Sequence, residues 1–225
     1  MTRSIGTDLA GRIDHTMLRP ESTAADVGRV CREAIRYGFR VVFVPPCYVE
    51  QACEALTGTT VRVGIPIGFP LGGHTTTVKV TEAVDGVSRG ATILDMVLNV
   101  SCLKSGEYAR VRADIAEVVG ATPEAEHKVI LETCYLTREE KVIACRLAIE
   151  AGADYVKTST GFGPGGATVE DVSLLRNVLG EKAKIKASGG IRDVNTAMAM
   201  IEAGADRIGT SASTAIMEEW LARRQ

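Results

Sequence analysis

Short runs rich in β-branched residues alternate with longer amphipathic segments along the chain, and this alternation limits the fold more than any other feature. Repeated strand-and-helix units are typical of a parallel sheet. The candidate strands are Arg12–Thr16, Arg40–Val44, Val61–Ile67, Thr92–Asn99, Lys128–Glu132, Tyr155–Ser159, Lys184–Ala187 and Arg207–Gly209. Eight units in 225 residues fit a compact barrel. We therefore predict an α/β fold, a (β/α)8 TIM barrel that forms one domain over residues 1–225.

Helix boundaries and glycine placement agree with this barrel. Three segments place an acid three residues after a threonine, as at a capped helix start: Thr23–Asp26, Thr137–Glu140 and Thr168–Asp171. Three glycines follow amphipathic runs, where helices commonly stop: Gly38, Gly152 and Gly204. An open doubly wound sheet would normally carry its strongest glycine-rich motif after the first strand. Here the glycine-rich turns follow candidate strands 6, 7 and 8, which favours the barrel.

Composition excludes several classes of partner. The formal net charge of -2 and the mixing of acidic and basic residues give no basis for binding nucleic acid or a membrane surface. The six cysteines include no C-x-x-C pair and the three histidines lie far apart, so we predict no metal site. We also predict no cofactor. The start of the chain lacks the apolar core of a signal peptide, and free thiols fit a reducing cytoplasm.

Candidate strand 4 places a carboxylate inside the predicted barrel. Side chains alternate along a strand, and Leu94 and Met96 suit the outer helices, so Asp95 and Asn99 are expected to point inward. A buried carboxylate is costly unless it is paired or protonated. A structural, ion-paired Asp95 is the simplest interpretation of this residue taken alone.

Two lysines on the neighbouring strands 6 and 7 change that interpretation. Because Val156 and Ile185 suit the helical side, Lys157 and Lys186 are expected to face the interior. Lys184 shares this orientation, but it lies about 6–7 Å lower. Barrel active sites lie at the carboxyl ends of the strands, which favours Lys157 and Lys186.

A lysine pair beside an acid has a clear chemical use. One lysine with a depressed pKa can attack a carbonyl as a neutral amine while the other stays charged. Asp95 can then move protons to and from the carbinolamine and enamine. We predict Lys157, Lys186 and Asp95 as the catalytic residues, and purely structural salt bridges are the alternative.

Two turns at the carboxyl ends of the strands are candidates for phosphate binding. Ser188-Gly189-Gly190 follows strand 7, and Gly209-Thr210-Ser211 follows strand 8 and opens the last helix. Barrels commonly bind phosphate at these positions, where backbone amides and hydroxyls can approach the anion. Three interpretations stay open for the glycine-rich segment 161–166 after strand 6: it adds amides to this site, it acts as a lid, or its flexibility has no function.

Other polar residues near the mouth receive weaker assignments. Asp14 and Thr16 end strand 1, where they can bind substrate hydroxyls or steady a lysine. His15 points the opposite way and is expected to pack. His74 is expected to be a solvated loop residue, and Cys47 has no histidine placed to activate it.

The motifs that carry these residues resemble the deoxyribose-phosphate aldolase family from Ile13 to about Glu218. The matching segments are 13–20, 67–72, 94–99, 132–137, 155–162, 186–192 and 207–211. The resemblance implies a metal-free lyase that interconverts 2-deoxyribose 5-phosphate with acetaldehyde and glyceraldehyde 3-phosphate, and it suggests a homodimer. It implies that Lys157 forms the Schiff base, that Lys186 perturbs it and that Asp95 relays protons. It also implies substrate or phosphate contacts at Asp14, Thr16, Gly161, Gly189, Gly190 and Ser211.

Two other functions remain as alternatives. Another phosphate-binding barrel enzyme, an isomerase or an aldolase of a different sugar phosphate, would keep the phosphate turns. The isomerase would not need a covalent Lys157. A non-catalytic sugar-phosphate sensor would bind its ligand without turnover.

Overall fold

A computed structural model describes residues 9–224, and these form a closed barrel of eight parallel strands. The strands β1–β8 are Ile13–Thr16, Val41–Phe43, Arg62–Ile67, Ile93–Val97, Glu126–Ile130, Tyr155–Lys157, Lys184–Ser188 and Arg207–Thr210. They pair in chain order, and β8 closes the barrel against β1. The predicted (β/α)8 architecture is therefore confirmed. Residues 1–8 and 225 of the predicted single domain lie outside the described residues.

Helices cover the outside of the barrel. Those of the described part, α1–α9, are Ala24–Tyr37, Val49–Ala55, Thr76–Ser88, Val100–Lys104, Tyr108–Ala121, Arg138–Glu150, Val169–Leu179, Val194–Glu202 and Ser213–Ala222. Short 3-10 turns occupy Ala10–Arg12, Pro46–Tyr48 and Thr133–Tyr135. None of the described helices combines the length and the apolar character that crossing a membrane requires.

The predicted helix boundaries are present. Thr23 with Asp26 and Thr137 with Glu140 form reciprocal capping boxes at the starts of α1 and α6. Thr168 starts α7 by accepting a hydrogen bond from the backbone N–H three residues later. The predicted stop positions all have positive φ: Gly38, Gly152 and Gly204. Local sequence therefore fixes where these helices begin and end.

Every strand differs from its predicted bounds by one or two residues at an end, and two of these differences have a local cause. β4 ends at Val97, so Asn99 does not point into the barrel as predicted. Its side chain instead caps α4 by accepting from a backbone N–H at 3.1 Å. β5 lies two residues earlier than predicted, because Glu132 adopts left-handed backbone angles (φ 54°, ψ 63°) that a strand cannot contain.

The barrel interior is separate from the main core. Most buried apolar residues lie between the strands and the helices, whereas Val41, Phe43 and Ile93 form a small cluster of their own. Alternation along β2 and β4 turns these three side chains inward. Gly64 on β3 leaves space for the aromatic ring, since a Cβ there would lie 2.6 Å from Phe43 Cζ.

Gly64→Ala is expected to destabilise the protein, because Phe43 has no room to move inside the closed barrel. Overpacking of this kind costs about 1–3 kcal/mol, measurable as a lower urea midpoint. Gly120→Ala is the matched control, since a Cβ at that exposed α5 position meets nothing within 4 Å. The control is expected to gain about 0.5–1 kcal/mol from helix propensity. Equal midpoints for the two variants would contradict the packing argument.

Candidate active site

Three strands bring the predicted catalytic residues together inside the barrel. Lys157 on β6 and Lys186 on β7 are register partners, and both side chains are buried. Their Nζ atoms lie 2.9 Å and 2.8 Å from the same oxygen of Asp95, Oδ2. Asp95 itself is fully buried on β4. The sequence prediction that all three side chains face the interior is confirmed.

The second lysine has a carboxylate partner that the first lacks. Lys186 Nζ also lies 2.8 Å from Asp14 Oδ2, and Arg207 holds the other oxygen of Asp14 at 2.7 Å. Burial alone would lower the pKa of Lys186, but the charges of Asp14 and Asp95 outweigh it and raise that pKa above its ordinary value. Lys186 is therefore held as an ammonium ion.

The surroundings of Lys157 lower its pKa, whereas those of Lys186 raise the pKa of that residue. The burial of Lys157 and the neighbouring Lys186 ammonium lower its pKa to about 8, even though Asp95 opposes them. Burial would raise the pKa of Asp95, but the ammonium groups of the surrounding lysines lower it well below its ordinary range. Near neutral pH the cluster thus holds a charged carboxylate, a charged Lys186 and an accessible fraction of neutral Lys157.

A third interior lysine was missed by the sequence analysis. Lys128 on β5 is fully buried, 2.6 Å from Glu126 and 3.7 Å from Asp95 Oδ1. The same alternation that located the other lysines also turns it inward, because Val129 faces the helices. Lys128 was not selected because it was the first residue of the predicted strand 5, at the end of the barrel away from the predicted active site.

An aromatic ring supports the charged groups from the centre of the barrel. Lys186 Nζ lies 3.6 Å from the Phe43 ring centroid, and the Nζ atoms of Lys128 and Lys157 each lie 5.7 Å from it. Ammonium groups over a ring face are stabilised most where water is excluded. Phe43 therefore stabilises these ammonium groups without adding a charge, a role that nothing in its sequence context indicated.

A cavity of about 630 Å³ opens above the cluster, and Lys157 reaches it whereas Lys186 and Asp95 lie below. The other predicted residues that line it are Thr16, Gly161, Gly189, Gly190 and Ser211. Asp14 does not line the cavity. It is fully buried beneath it and contacts Lys186. Arg192, which the sequence analysis did not select, lines the cavity with an exposed side chain.

Glycines shape the part of the cavity wall that the turns after β6 and β7 form. Gly189 and Gly190 have φ of 89° and 79°, which other residues rarely adopt. A Cβ at Gly166 would lie 2.3 Å from the Gly189 carbonyl oxygen, and Ala167 donates to that oxygen at 3.0 Å. Segment 161–166 is thus packed onto the Gly189 turn, which favours the amide-supplying role over the lid.

Among the described residues, the remaining candidates form no ion pair with Lys157 or Lys186, although His15 lines the same cavity as Lys157. His15 is buried, bonded to Glu33 at 2.8 Å and 5.1 Å from the Phe39 ring, which agrees with the expected packing role. His74 and Cys47 are exposed. Lys184 also has an exposed side chain, at the first residue of β7.

Comparison with known proteins agrees with this arrangement. The sequence profile of the DeoC/LacD family aldolases matches residues 9–218. The chain belongs to this aldolase family. The resemblance seen in the motifs is thereby confirmed, as is the expected enzyme class, a lyase.

Individual members of the family are similar over almost the full chain. A deoxyribose-phosphate aldolase from Caldanaerobacter subterraneus subsp. tengcongensis is 57% identical over 216 residues, which are 95% of this chain and 94% of that protein. The solved structure of QR15, an aldolase, superposes with a TM-score of 0.93 at 46% identity and covers 96% of this chain and 97% of its own. A deoxyribose phosphate aldolase from Aeropyrum pernix, described as a tetramer, gives 0.90 at 35% identity and covers 96% and 92%.

Removal of the second ammonium is expected to shift the pH dependence of this aldolase. In Lys186→Met the charge that depresses the pKa of Lys157 is lost, so that pKa rises above about 8. More alkaline solution is then needed to form the neutral amine, and we expect the rise of kcat/KM with pH to move upward by about one unit or more. Lys184→Met, at the exposed start of the same strand, is expected to leave the profile in place. An unchanged profile in Lys186→Met removes Lys186 from this role.

Proposed function

We propose that this chain is a deoxyribose-phosphate aldolase that works through a Schiff base on Lys157. The observation that carries the proposal is the pair of ammonium groups on one buried oxygen of Asp95, at the floor of a cavity lined by glycine turns. The pKa of Lys157, about 8, makes its amine available as a nucleophile near neutral pH.

In the proposed reaction the amine of Lys157 adds to the aldehyde carbon of open-chain 2-deoxyribose 5-phosphate. Loss of water gives an imine. Removal of the proton from the 3-hydroxyl then breaks the C2–C3 bond, releases glyceraldehyde 3-phosphate and leaves the electron pair in an enamine. Protonation at C2 and hydrolysis release acetaldehyde and restore Lys157.

Asp95 and Lys186 serve the proton transfers in this scheme. Oδ2 of Asp95 lies between the two lysines, while Oδ1 accepts no hydrogen bond from any described residue. Oδ1 lies 3.7 Å from the Lys128 ammonium, and Oδ2, which accepts a hydrogen bond from the reacting nitrogen of Lys157, can take and return a proton there. Lys186 remains charged throughout, because Asp14 and Asp95 both stabilise its ammonium.

The phosphate group is proposed to bind at the turns after β6, β7 and β8. The proposed contacts are the backbone amides at Gly161, Gly189 and Gly190 and the hydroxyl of Ser211, all of which line the cavity. Thr16 is proposed to contact the sugar from β1, with its hydroxyl already 3.0 Å from the Asp14 carbonyl oxygen. Arg192 adds a positive charge at the same cavity, which complements a phosphate.

Trapping of the imine with borohydride distinguishes the aldolase from an isomerase and from a sugar-phosphate sensor. Intact-protein mass spectrometry after addition of acetaldehyde and borohydride is expected to show a reduced two-carbon adduct, and peptide mapping is expected to place it on Lys157. An isomerase that works by proton transfer alone, or a sensor, leaves no such adduct. Folded protein without an adduct contradicts the aldolase proposal, and cleavage of 2-deoxyribose 5-phosphate identifies the substrate.

We further propose that the whole chain, residues 1–225, acts as one catalytic domain in the cytoplasm and needs no cofactor or metal ion. Its partner is a small sugar phosphate, with no nucleic acid or membrane partner. A homodimer is the proposed assembly. Light scattering distinguishes this dimer from a monomer and from a tetramer like that of the Aeropyrum pernix relative.

A further inference from the structure

Glu132 occupies an unusual position that the proposed reaction does not use. It is the single non-glycine residue with positive φ in the described part of the chain, and it is 3% exposed. Left-handed backbone angles are unfavourable for a residue with a Cβ and persist only where the surroundings hold them. The contacts of the Glu132 side chain therefore hold its backbone in a conformation that the residue does not favour by itself.

One of those contacts is local, from the Cys134 thiol to Oε1 at 3.9 Å, and the others lead to the start of the loop after β6. The Thr160 backbone N–H donates to both carboxylate oxygens of Glu132, at 3.2 Å and 3.3 Å, and the Thr160 hydroxyl donates to Oε2. The same hydroxyl oxygen accepts from the Phe162 N–H at 3.0 Å. The carboxylate thus fixes, directly or through one hydroxyl, the two residues on either side of Gly161.

The loop then passes between Glu132 and the Gly189 turn. A Cβ at Gly163 would lie 3.3 Å from the carboxyl carbon of Glu132, and a Cβ at Gly166 would lie 2.3 Å from the Gly189 carbonyl oxygen. Glycine at these positions lets the loop approach both neighbours closely. The position of Gly161 is consequently set by Glu132 on one side and the Gly189 turn on the other.

We propose that Glu132 is a positioning residue that sets the affinity for the substrate phosphate by holding Gly161 in place. This rests on the proposed aldolase function. Glu132 does not line the cavity, and donors from Thr160 already occupy both of its oxygens. Its negative charge therefore faces the loop and leaves the cavity free for an anion.

Glu132→Gln tests the proposal, because the amide retains the shape but presents an NH2 group to one of the Thr160 donors. Loss of one or two charge-assisted hydrogen bonds is expected to raise KM for 2-deoxyribose 5-phosphate by about tenfold, with little change in kcat. Inorganic phosphate, measured by calorimetry, is expected to bind about tenfold more weakly. The rate of borohydride-trapped imine formation with acetaldehyde, which carries no phosphate, is expected to match that of the wild type.

Matched variants make the result specific. Glu139→Gln, the same change at an exposed α6 position, is expected to alter none of these quantities. Thr160→Val is expected to reproduce the effect of Glu132→Gln, and Thr160→Ser to restore wild-type values. If Glu132→Gln does not fold, the two Thr160 variants test whether this hydrogen bond sets the phosphate affinity.

Two results would overturn the proposal: phosphate affinity that stays unchanged, or imine formation that falls in parallel with it. Failure of the wild type to cleave the sugar phosphate counts against the aldolase function instead. The binding of inorganic phosphate does not depend on turnover and still tests Glu132.

Discussion

Replacement of Lys157 by methionine is expected to lower kcat/KM by roughly 10⁴-fold or more, the range seen when a covalent nucleophile is removed. Methionine fills the space of the lysine stem but cannot form an imine. Asp95 keeps Lys186 at 2.8 Å, so it is not left as an unpaired buried charge. We therefore expect the free energy of unfolding to change by less than about 2 kcal/mol. Turnover, the trapped adduct and the urea midpoint are measured on the same preparation.

Two further variants separate the nucleophile from its charge. Lys157→Arg keeps a cation beside Asp95 but offers no amine that becomes neutral, so it is expected to be as inactive as the methionine variant. Lys184→Met removes a lysine from the exposed start of β7 and is expected to retain full activity. An adduct that persists in Lys157→Met would assign the Schiff base to another lysine.

Much of the site was predictable because strand alternation is a strict rule. The outward preferences of Val156 and Ile185 placed Lys157 and Lys186 inside, and Leu94 and Met96 did the same for Asp95. The barrel closure then followed from the number of units and the late glycine turns. These conclusions needed only local pattern, which the sequence carries directly.

The difference between the two lysines needed the three-dimensional structure. Lys186 is the charged member because Asp14 and Arg207, from the strands next to each other at the barrel closure, complete its surroundings. No spacing in the sequence indicates that β1 and β8 meet at these residues. The left-handed Glu132 and the capping Asn99 were missed for the related reason that strand patterns do not show where a strand ends.

Asp95→Asn is expected to separate imine formation from turnover. Without the carboxylate the pKa of Lys157 falls further below about 8, because the charge of Asp95 raises it more than that of Asp14 does. The amine is then neutral over a wider pH range, and the acetaldehyde adduct is expected to form in more acidic solution than in the wild type. Turnover, which requires proton transfer, is expected to fall by about 10²–10⁴-fold. Pre-steady-state trapping and steady-state cleavage measure the two effects separately.

The same variant is expected to lose stability in a pH-dependent way. A lysine whose folded pKa lies below its unfolded value of 10.5 binds fewer protons when folded, so stability rises with pH between the two values. In Asp95→Asn that window extends further toward acid. The loss, up to about 3–5 kcal/mol for a broken buried pair, is therefore expected to be largest well below pH 8 and to shrink as the pH rises toward 8, because above that pH Lys157 is neutral in the folded state of both proteins.

Asp114→Asn provides the matched control for Asp95→Asn. Asp114 forms a buried pair with Lys79 at 2.6 Å, between α3 and α5 and outside the barrel interior. This change is expected to destabilise the protein while kcat remains that of the wild type, because no reacting atom is near. If both variants lost turnover in proportion to their stability, Asp95 would be a structural ion pair, whereas loss of turnover in Asp95→Asn alone assigns it to the proton transfers.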